Sequence, residues 1–318
     1  MKMRALGSTG LNVSELSLGG LFLGELGNGR DPGAVLSKAA DLGINLLDTA
    51  PAYKGSEEAI GKAWTPALRD KFVLATKWWA YQGDGKTLIT DPAQLRKTVE
   101  ASLTRLRTDR LDILLFHSVT QPGDIEKLGS APLRAELAKL KQEGKVLHVG
   151  LSNEGKDDPE DARLIEAVQA GNMEVVMPEF LIFRQGPSKA LFPLCAQKKV
   201  GVIAITPLGQ SAWGYGLRDK KTLLKSLELF VSKGLLADEP RWRDAGVLDF
   251  LLDAKTPNLA AAALRYCLSF PGISSVCCGT SDPAHLEENV RVCESGPYDA
   301  PRLAMVAELF GHLAAVPR

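Results

Sequence analysis

The sequence has no net charge to offer a polyanion. Its 38 basic residues are matched by 38 acidic ones over 318 positions, which removes the electrostatic footprint expected of a nucleic-acid binder or of a protein held on an anionic membrane. Long apolar runs are missing as well. Nothing approaches membrane-spanning length, and the opening Met1-Lys2-Met3-Arg4-Ala5-Leu6-Gly7 contains no signal-like apolar core, so a soluble, cytoplasmic chain is expected. Cysteine is scarce. Cys195, Cys267, Cys277, Cys278 and Cys293 are odd in number, irregularly spaced and without a Cys-x-x-Cys pair, a pattern of reduced core thiols rather than of disulfides or a zinc site, and no metal is expected. Also absent is any Gly-x-Gly-x-x-Gly opening a helix, the mark of a dinucleotide-binding Rossmann unit.

What is present is ordinary soluble composition, 45% hydrophobic and 24% charged, enough apolar content for a large core. Short aliphatic runs alternate with helical patterns. They fall at 16–20, 44–48, 72–77, 111–117, 146–153, 175–180, 201–206 and 273–278. Runs of this kind suit parallel strands buried on both faces, and their number is that of a (β/α)8 barrel, the TIM barrel. The segment from Met3 to Val13, turning at Ser8-Thr9-Gly10, reads as a hairpin closing the barrel floor. Asp-Pro pairs at Asp31, Asp91, Asp158 and Asp282 read as helix N-caps, since the carboxylate accepts first-turn amides and proline tolerates the first helical position. Leu95, Val99, Leu103 and Leu106 share one helix face. No linker or low-complexity stretch divides the chain, so residues 1–318 are expected to form one barrel domain.

The interval from Gly209 to about Pro257, after the seventh barrel strand, is too long for a simple crossover. Insertions at that end of a barrel lie over the site. It is read as a lid or substrate loop.

Asp48, Tyr53, Lys77 and His117 stand at or just beyond the C-terminal ends of successive expected strands, where barrels keep their active sites. Singly, each has a structural explanation. Together they make a chemical proposal: a lysine cation beside a tyrosine favours its phenolate, an aspartate keeps that lysine charged, and a neutral imidazole orients a substrate oxygen.

Several ordered motifs extend this reading. They are Arg4 to Ser14, Asp48-Thr-Ala-Pro-Ala-Tyr53 followed by Gly55-Ser-Glu-Glu-Ala-Ile-Gly61, Ala75-Thr-Lys77, Glu100 to Leu106, Asp109 through Asp112 to His117, and Gly144-Lys145 leading to Gly150-Leu-Ser-Asn153. With them the chain resembles the aldo-keto reductases from Arg4 to about Val290. The resemblance implies an eight-stranded barrel that binds NAD(P)(H), with Asp48, Tyr53, Lys77 and His117 as the catalytic tetrad and Tyr53 exchanging a proton with the substrate oxygen as hydride moves at the adjacent carbon.

It also implies cofactor positions: Gly20 and Leu21 after the first strand, Asp48, Ser152 and Asn153 for the carboxamide, Pro207-Leu208-Gly209 near the pyrophosphate, Gly279, Thr280, Ser281 and His285 around the ribose 2′-oxygen, and Glu288 with Asn289 for adenine. Two positions depart from the family's usual residues. Ile205 stands where a tyrosine commonly stacks on the nicotinamide, and Met177 where a glutamine often reaches the carboxamide. Without a guanidinium near the 2′-oxygen, NAD and NADP both remain open. For substrate, Leu21, Tyr53, Trp78, Trp79, His117 and Trp213 are candidates, the tryptophans on loops at the mouth, and a small carbonyl, alcohol or sugar is the expected partner. Two alternatives stand beside this one: a Schiff-base enzyme using Lys77, or a non-catalytic subunit that binds cofactor on the same fold.

Overall fold

The computed structural model describes residues 1–154, 158, 160–210 and 215–313. An antiparallel hairpin of β1 (Met3–Ala5) and β2 (Asn12–Ser14) precedes eight parallel strands, β3 (Leu16–Gly19), β4 (Leu46–Asp48), β5 (Val73–Trp79), β6 (Leu111–His117), β7 (Val146–Asn153), β8 (Val175–Pro178), β9 (Gly201–Ile205) and β10 (Ser275–Gly279). They close in the order β10-β3-β4-β5-β6-β7-β8-β9. This is an α/β TIM barrel with an N-terminal hairpin.

Strand alternation sorts the core into two layers. Leu46, Ala75, Ile113, Leu115, Val175, Met177, Ile203 and Cys277 pack inside the barrel, where the hairpin's Leu6 and Val13 join them and close the floor. Leu47, Leu74, Leu114, Leu151, Val176, Val202 and Val276 face outward into the larger apolar cluster shared with the helices. All five cysteines are buried and free.

The surrounding helices are α1 (Pro32–Asp41), α2 (Ser56–Ala63), α3 (Pro66–Arg69), α4 (Pro92–Leu106), α5 (Asp124–Leu128), α6 (Ala131–Gln142), α7 (Ala162–Ala170), α8 (Gly186–Lys189), α9 (Leu191–Lys198), α10 (Lys220–Ser232), α11 (Leu259–Leu268), α12 (Pro283–Glu294) and α13 (Ala300–Phe310). Asp31, Asp91 and Asp282 cap α1, α4 and α12 through their carboxylates. Asp158 does not occupy the cap position. The N-cap of α7 is Asp161, and Asp158 reaches over it to accept from Ala162 N (2.8 Å) and Arg163 N (2.7 Å). The carboxylate still satisfies first-turn amides, but the helix begins later than the dipeptide suggests.

The insertion after β9 is largely folded. Phe230 of α10 meets Phe183 at 4.9 Å between ring centroids, and Trp242 meets Phe310 of α13 at 5.7 Å. An apolar underside anchors most of the segment read as a lid.

Candidate active site

At the C-terminal end of the barrel the parallel register sets Asp48 beside Ala75, and Trp79 beside His117, which in turn sits beside Ser152 and then Met177. Period-two alternation turns Lys77, like Ala75 below it, into the barrel. Its ammonium is 1% exposed as a side chain and meets Asp48 Oδ1 at 2.5 Å and Oδ2 at 2.6 Å. It also donates to the Thr49 carbonyl (2.9 Å) and to the Tyr53 hydroxyl (3.1 Å). Tyr53 lies on the turn after β4, with its amide donating to Ala50 O at 3.0 Å. Its ring stands edge-on to His117, centroids 6.4 Å apart. Four groups from three strands and one turn thus meet at one end of the sheet.

Burial alone would discharge Lys77, but the Asp48 carboxylate and the Tyr53 hydroxyl outweigh it and hold the ammonium pKa above its ordinary value. For Tyr53, Lys77 acts in the direction the sequence suggests, but burial outweighs it. Burial pushes the phenol up, Lys77 pulls it down, Asp48 pushes it up again, and the result is about 12 against an ordinary 10.0. Lys77 therefore does not make Tyr53 a phenolate here. It tempers a phenol that burial keeps protonated.

Around the tetrad, Ser152 and Asn153 are both 2% exposed. Asn153 Nδ2 donates to Val119 O at 2.6 Å, while its Oδ1 is buried with no hydrogen-bond partner among the described residues. A buried acceptor without a donor is costly, and a carboxamide N–H is the kind of group that would satisfy it. Met177 is fully buried and Ile205 partly buried, both facing the barrel interior, so this wall is aliphatic. Pro207, Leu208 and Gly209 form a turn closed by Gly209 N to Thr206 O (2.9 Å) and tied to the insertion by Leu217 N to Leu208 O (2.9 Å).

Gly279 ends β10, where a Cβ would come within 3.1 Å of the Phe22 ring. Thr280 and Ser281 lead to Asp282, and the Thr280 hydroxyl lies 3.2 Å from Nδ1 of the exposed His285. Glu288 and Asn289 line a cleft of about 450 Å³ between α11 and α12, together with Asn258, Ala260, Lys255 and Arg291. The unpartnered Asn153 Oδ1 beside buried Ser152 fits the carboxamide of a nicotinamide.

On the substrate side the structure separates two neighbouring tryptophans. Both lie in β5 rather than on a loop. Trp79 is 43% exposed and edge-on to His117 at 5.6 Å. Trp78, one residue earlier, points outward, is 1% exposed and packs on Phe116 at 5.4 Å in the outer core. Trp78 is thereby removed from the substrate candidates by strand alternation alone. Tyr81 is buried too, its hydroxyl donating to Asp124 at 2.7 Å. Leu21, 36% exposed, and Phe22, 38% exposed, stand just beyond buried Gly20 on the first strand's loop. Trp213 falls outside the described residues.

Some groups at the site carry no signal strong enough to single them out in the sequence. Thr49 and Ser56 sit within quoted motifs yet are small hydroxyls of common type. Buried Glu179 accepts from Tyr215 of the insertion at 2.7 Å. Glu57, 1% exposed, accepts from Thr76 at 2.7 Å and from Arg105 at 2.7 Å. An acidic pair after Tyr53 hints at a helix start, but not that one carboxylate is swallowed between strand and helix.

Known proteins resemble this chain over most of its length. The chain is 30% identical over 302 residues to an uncharacterized oxidoreductase, YqkF, of Bacillus subtilis, covering 93% of this chain and 92% of that one. It is 30% identical over 309 residues to L-galactose dehydrogenase of Arabidopsis thaliana, covering 91% and 87%. Among solved structures, an aldo-keto reductase from Bacillus halodurans in its holo form superposes with a TM-score of 0.71 at 27% identity, covering 98% of this chain and 96% of that one. Aldo-keto reductases use NAD(P)(H), and the relatives are oxidoreductases, which is the reaction class of this chain. The model of the Aldo/keto reductase family matches residues 16–310, nearly the whole barrel, and the chain belongs to that family.

Proposed function

We propose that this protein transfers hydride between a nicotinamide cofactor and a small carbonyl compound or the corresponding alcohol, with Tyr53 as the group that exchanges a proton with the substrate oxygen. The observation that carries the reading is the Tyr53 hydroxyl 3.1 Å from an ammonium that Asp48 grips with both oxygens. A phenol held protonated at neutral pH is a proton donor, so the arrangement suits carbonyl reduction, while oxidation would draw on the small phenolate fraction. His117, edge-on to Tyr53, orients the carbonyl oxygen toward the hydroxyl, and Trp79 and Leu21 flank the substituents.

A bound nicotinamide supplies or takes the hydride. Ser152 and Asn153 would hold its carboxamide, Met177 and Ile205 would pack against the ring, Gly20, Leu21, Pro207, Leu208 and Gly209 would line the path of the phosphates, and Gly279, Thr280, Ser281, His285, Glu288 and Asn289 would receive the adenosine. L-galactose dehydrogenase among the relatives favours an aldose-like substrate. Schiff-base chemistry at Lys77 is disfavoured because its nitrogen is protonated, buried and already shared among four acceptor atoms.

The test is Tyr53→Phe. It should abolish turnover of aldehydes, ketones and aldoses while NADH and NADPH still quench tryptophan fluorescence with nearly wild-type affinity. Equal turnover in the variant would reject the assigned role.

A further inference from the structure

Below the Tyr53 turn, two buried hydroxyls join elements that carry the site. Thr49, fully buried, and Ser56, 1% exposed, place their oxygens 2.8 Å apart. Ser56 Oγ donates to Gly20 O at 2.7 Å, so the proton between the hydroxyls comes from Thr49. On the backbone side, the Thr49 carbonyl accepts from Lys77 Nζ at 2.9 Å, and Ser56 N donates to Tyr53 O at 2.7 Å. One short chain of bonds therefore runs from the end of β3 through both hydroxyls to the residue whose carbonyl the lysine also holds and to the tyrosine's own peptide. No slack is available around it. A Cβ on Gly20 would lie 2.7 Å from Asp48 O and 3.1 Å from Ser56 Oγ.

We propose that the Thr49–Ser56 hydroxyl pair is a positioning unit that fixes the Tyr53 hydroxyl against Lys77 Nζ. Neither hydroxyl touches the phenol or the ammonium. Their effect passes through the Thr49 and Tyr53 carbonyls, which set the spacing between strand β4 and the first turn of α2. Losing the bond lets that spacing relax, and a displacement of a few tenths of an ångström weakens both the ammonium's hold on the phenol and the alignment of the donor O–H. The inference rests on the reading of Tyr53 as proton donor.

Thr49→Val keeps the side-chain shape and removes the hydroxyl, whereas Thr49→Ser keeps the hydroxyl and removes the methyl. Rates are measured with the aldehyde, ketone or aldose that the wild-type protein turns over fastest, and nucleotide affinity by fluorescence. Thr49→Val should lower kcat by about tenfold to a hundredfold, with KM and nucleotide Kd within about twofold of wild type. Thr49→Ser should recover kcat to within about threefold, and Ser56→Ala should repeat the loss seen in Thr49→Val. Three results overturn the proposal. If Tyr53→Phe is dead but Thr49→Val and Ser56→Ala turn over like wild type, the pair positions nothing, and the proton-donor reading stands. If Thr49→Ser falls as far as Thr49→Val, packing and not the hydroxyl matters. If Tyr53→Phe itself is fully active, the underlying reading falls and takes this one with it.

Discussion

Replacing Asp48 with asparagine leaves a buried ammonium facing a neutral amide. Lys77 is 1% exposed and Asp48 4% exposed as side chains, and two of the lysine's contacts, at 2.5 and 2.6 Å, are to that one carboxylate. Removing one partner of a buried pair costs about 3–5 kcal/mol, because the remaining charge stays desolvated without compensation. At about 2 °C per kcal/mol for a chain of this length, the melting temperature should fall by on the order of 6–10 °C. The pH dependence carries more information than the drop. In the wild-type protein the Lys77 pKa is raised above 10.5, so wherever Asp48 is ionised the pair's contribution is complete up to that pH and fades as pH rises through the higher folded value, while on the acid side burial, which outweighs Lys77, holds the Asp48 carboxyl above its ordinary 3.8. In Asp48→Asn the sign reverses. Burial now lowers the folded pKa, the variant gains stability as the amine discharges, and its deficit should narrow from pH 6 toward pH 9. The double variant Asp48→Asn/Lys77→Met, with no charge to bury, should recover much of the loss while remaining inactive. Thermal and urea unfolding followed by fluorescence measure all three proteins. A deficit that stays flat with pH, or a double variant no more stable than Asp48→Asn, would refute the account of a mutually dependent buried pair.

Three further outcomes follow from the same structure. With the Tyr53 phenol pushed up to about 12, carbonyl reduction should show no loss from tyrosine ionisation up to about pH 10, while alcohol oxidation should rise about tenfold per pH unit between pH 8 and 10; initial rates in both directions decide it, and a reduction limb that falls near pH 8 contradicts it. Glu174 is half-buried, yet hydrogen bonds from His148, Lys141 and Val149 N outweigh that burial and hold its carboxyl at about 2. Its contribution is present above the ordinary value of 4.5 and is lost as pH falls toward 2, so Glu174→Gln should cost about 1 kcal/mol at pH 7, after allowance for solvent screening, and about half that or less at pH 3. Trp79→Ala should raise the carbonyl KM several-fold and leave nucleotide Kd unchanged, since the ring is exposed beside His117; a change confined to nucleotide binding would move Trp79 to the other half of the site.

The barrel was legible because its signals are local. Every expected aliphatic run contains an observed strand to within a few residues, and three of four Asp-Pro pairs cap the helices that follow them. The four tetrad residues were likewise readable as strand-end groups, since parallel strands present their C-terminal ends on one side. What could not be read depends on distances across the fold. Whether Trp78 or Trp79 faces the site turns on a single residue of alternation, set by where β5 begins. Whether Lys77 or burial governs Tyr53 depends on how tightly β4, β5 and β10 close around the phenol. The hydroxyls of Thr49 and Ser56 are seven positions apart, and only the fold of the intervening turn brings them within bonding distance.

The protonation of Tyr53 follows from the same pairing that keeps Lys77 charged. An isolated ammonium 3.1 Å from a phenol would strongly favour the phenolate, but this ammonium is neutralised at 2.5 and 2.6 Å by Asp48. Tyr53 thus meets a compact dipole whose positive end is nearer, a weaker field than a free charge exerts, and burial is left to dominate. Asp48 therefore has two opposed effects on the chemistry. It makes Lys77 tolerable inside the barrel, and it limits how far Lys77 lowers the phenol. A variant lacking the carboxylate but retaining a charged lysine would expose Tyr53 to the full cation and lower its pKa. Because the lone ammonium discharges as pH rises, that effect should be confined to the acidic side of neutrality, where oxidation by Asp48→Asn should lose less relative to wild type than it does at pH 9.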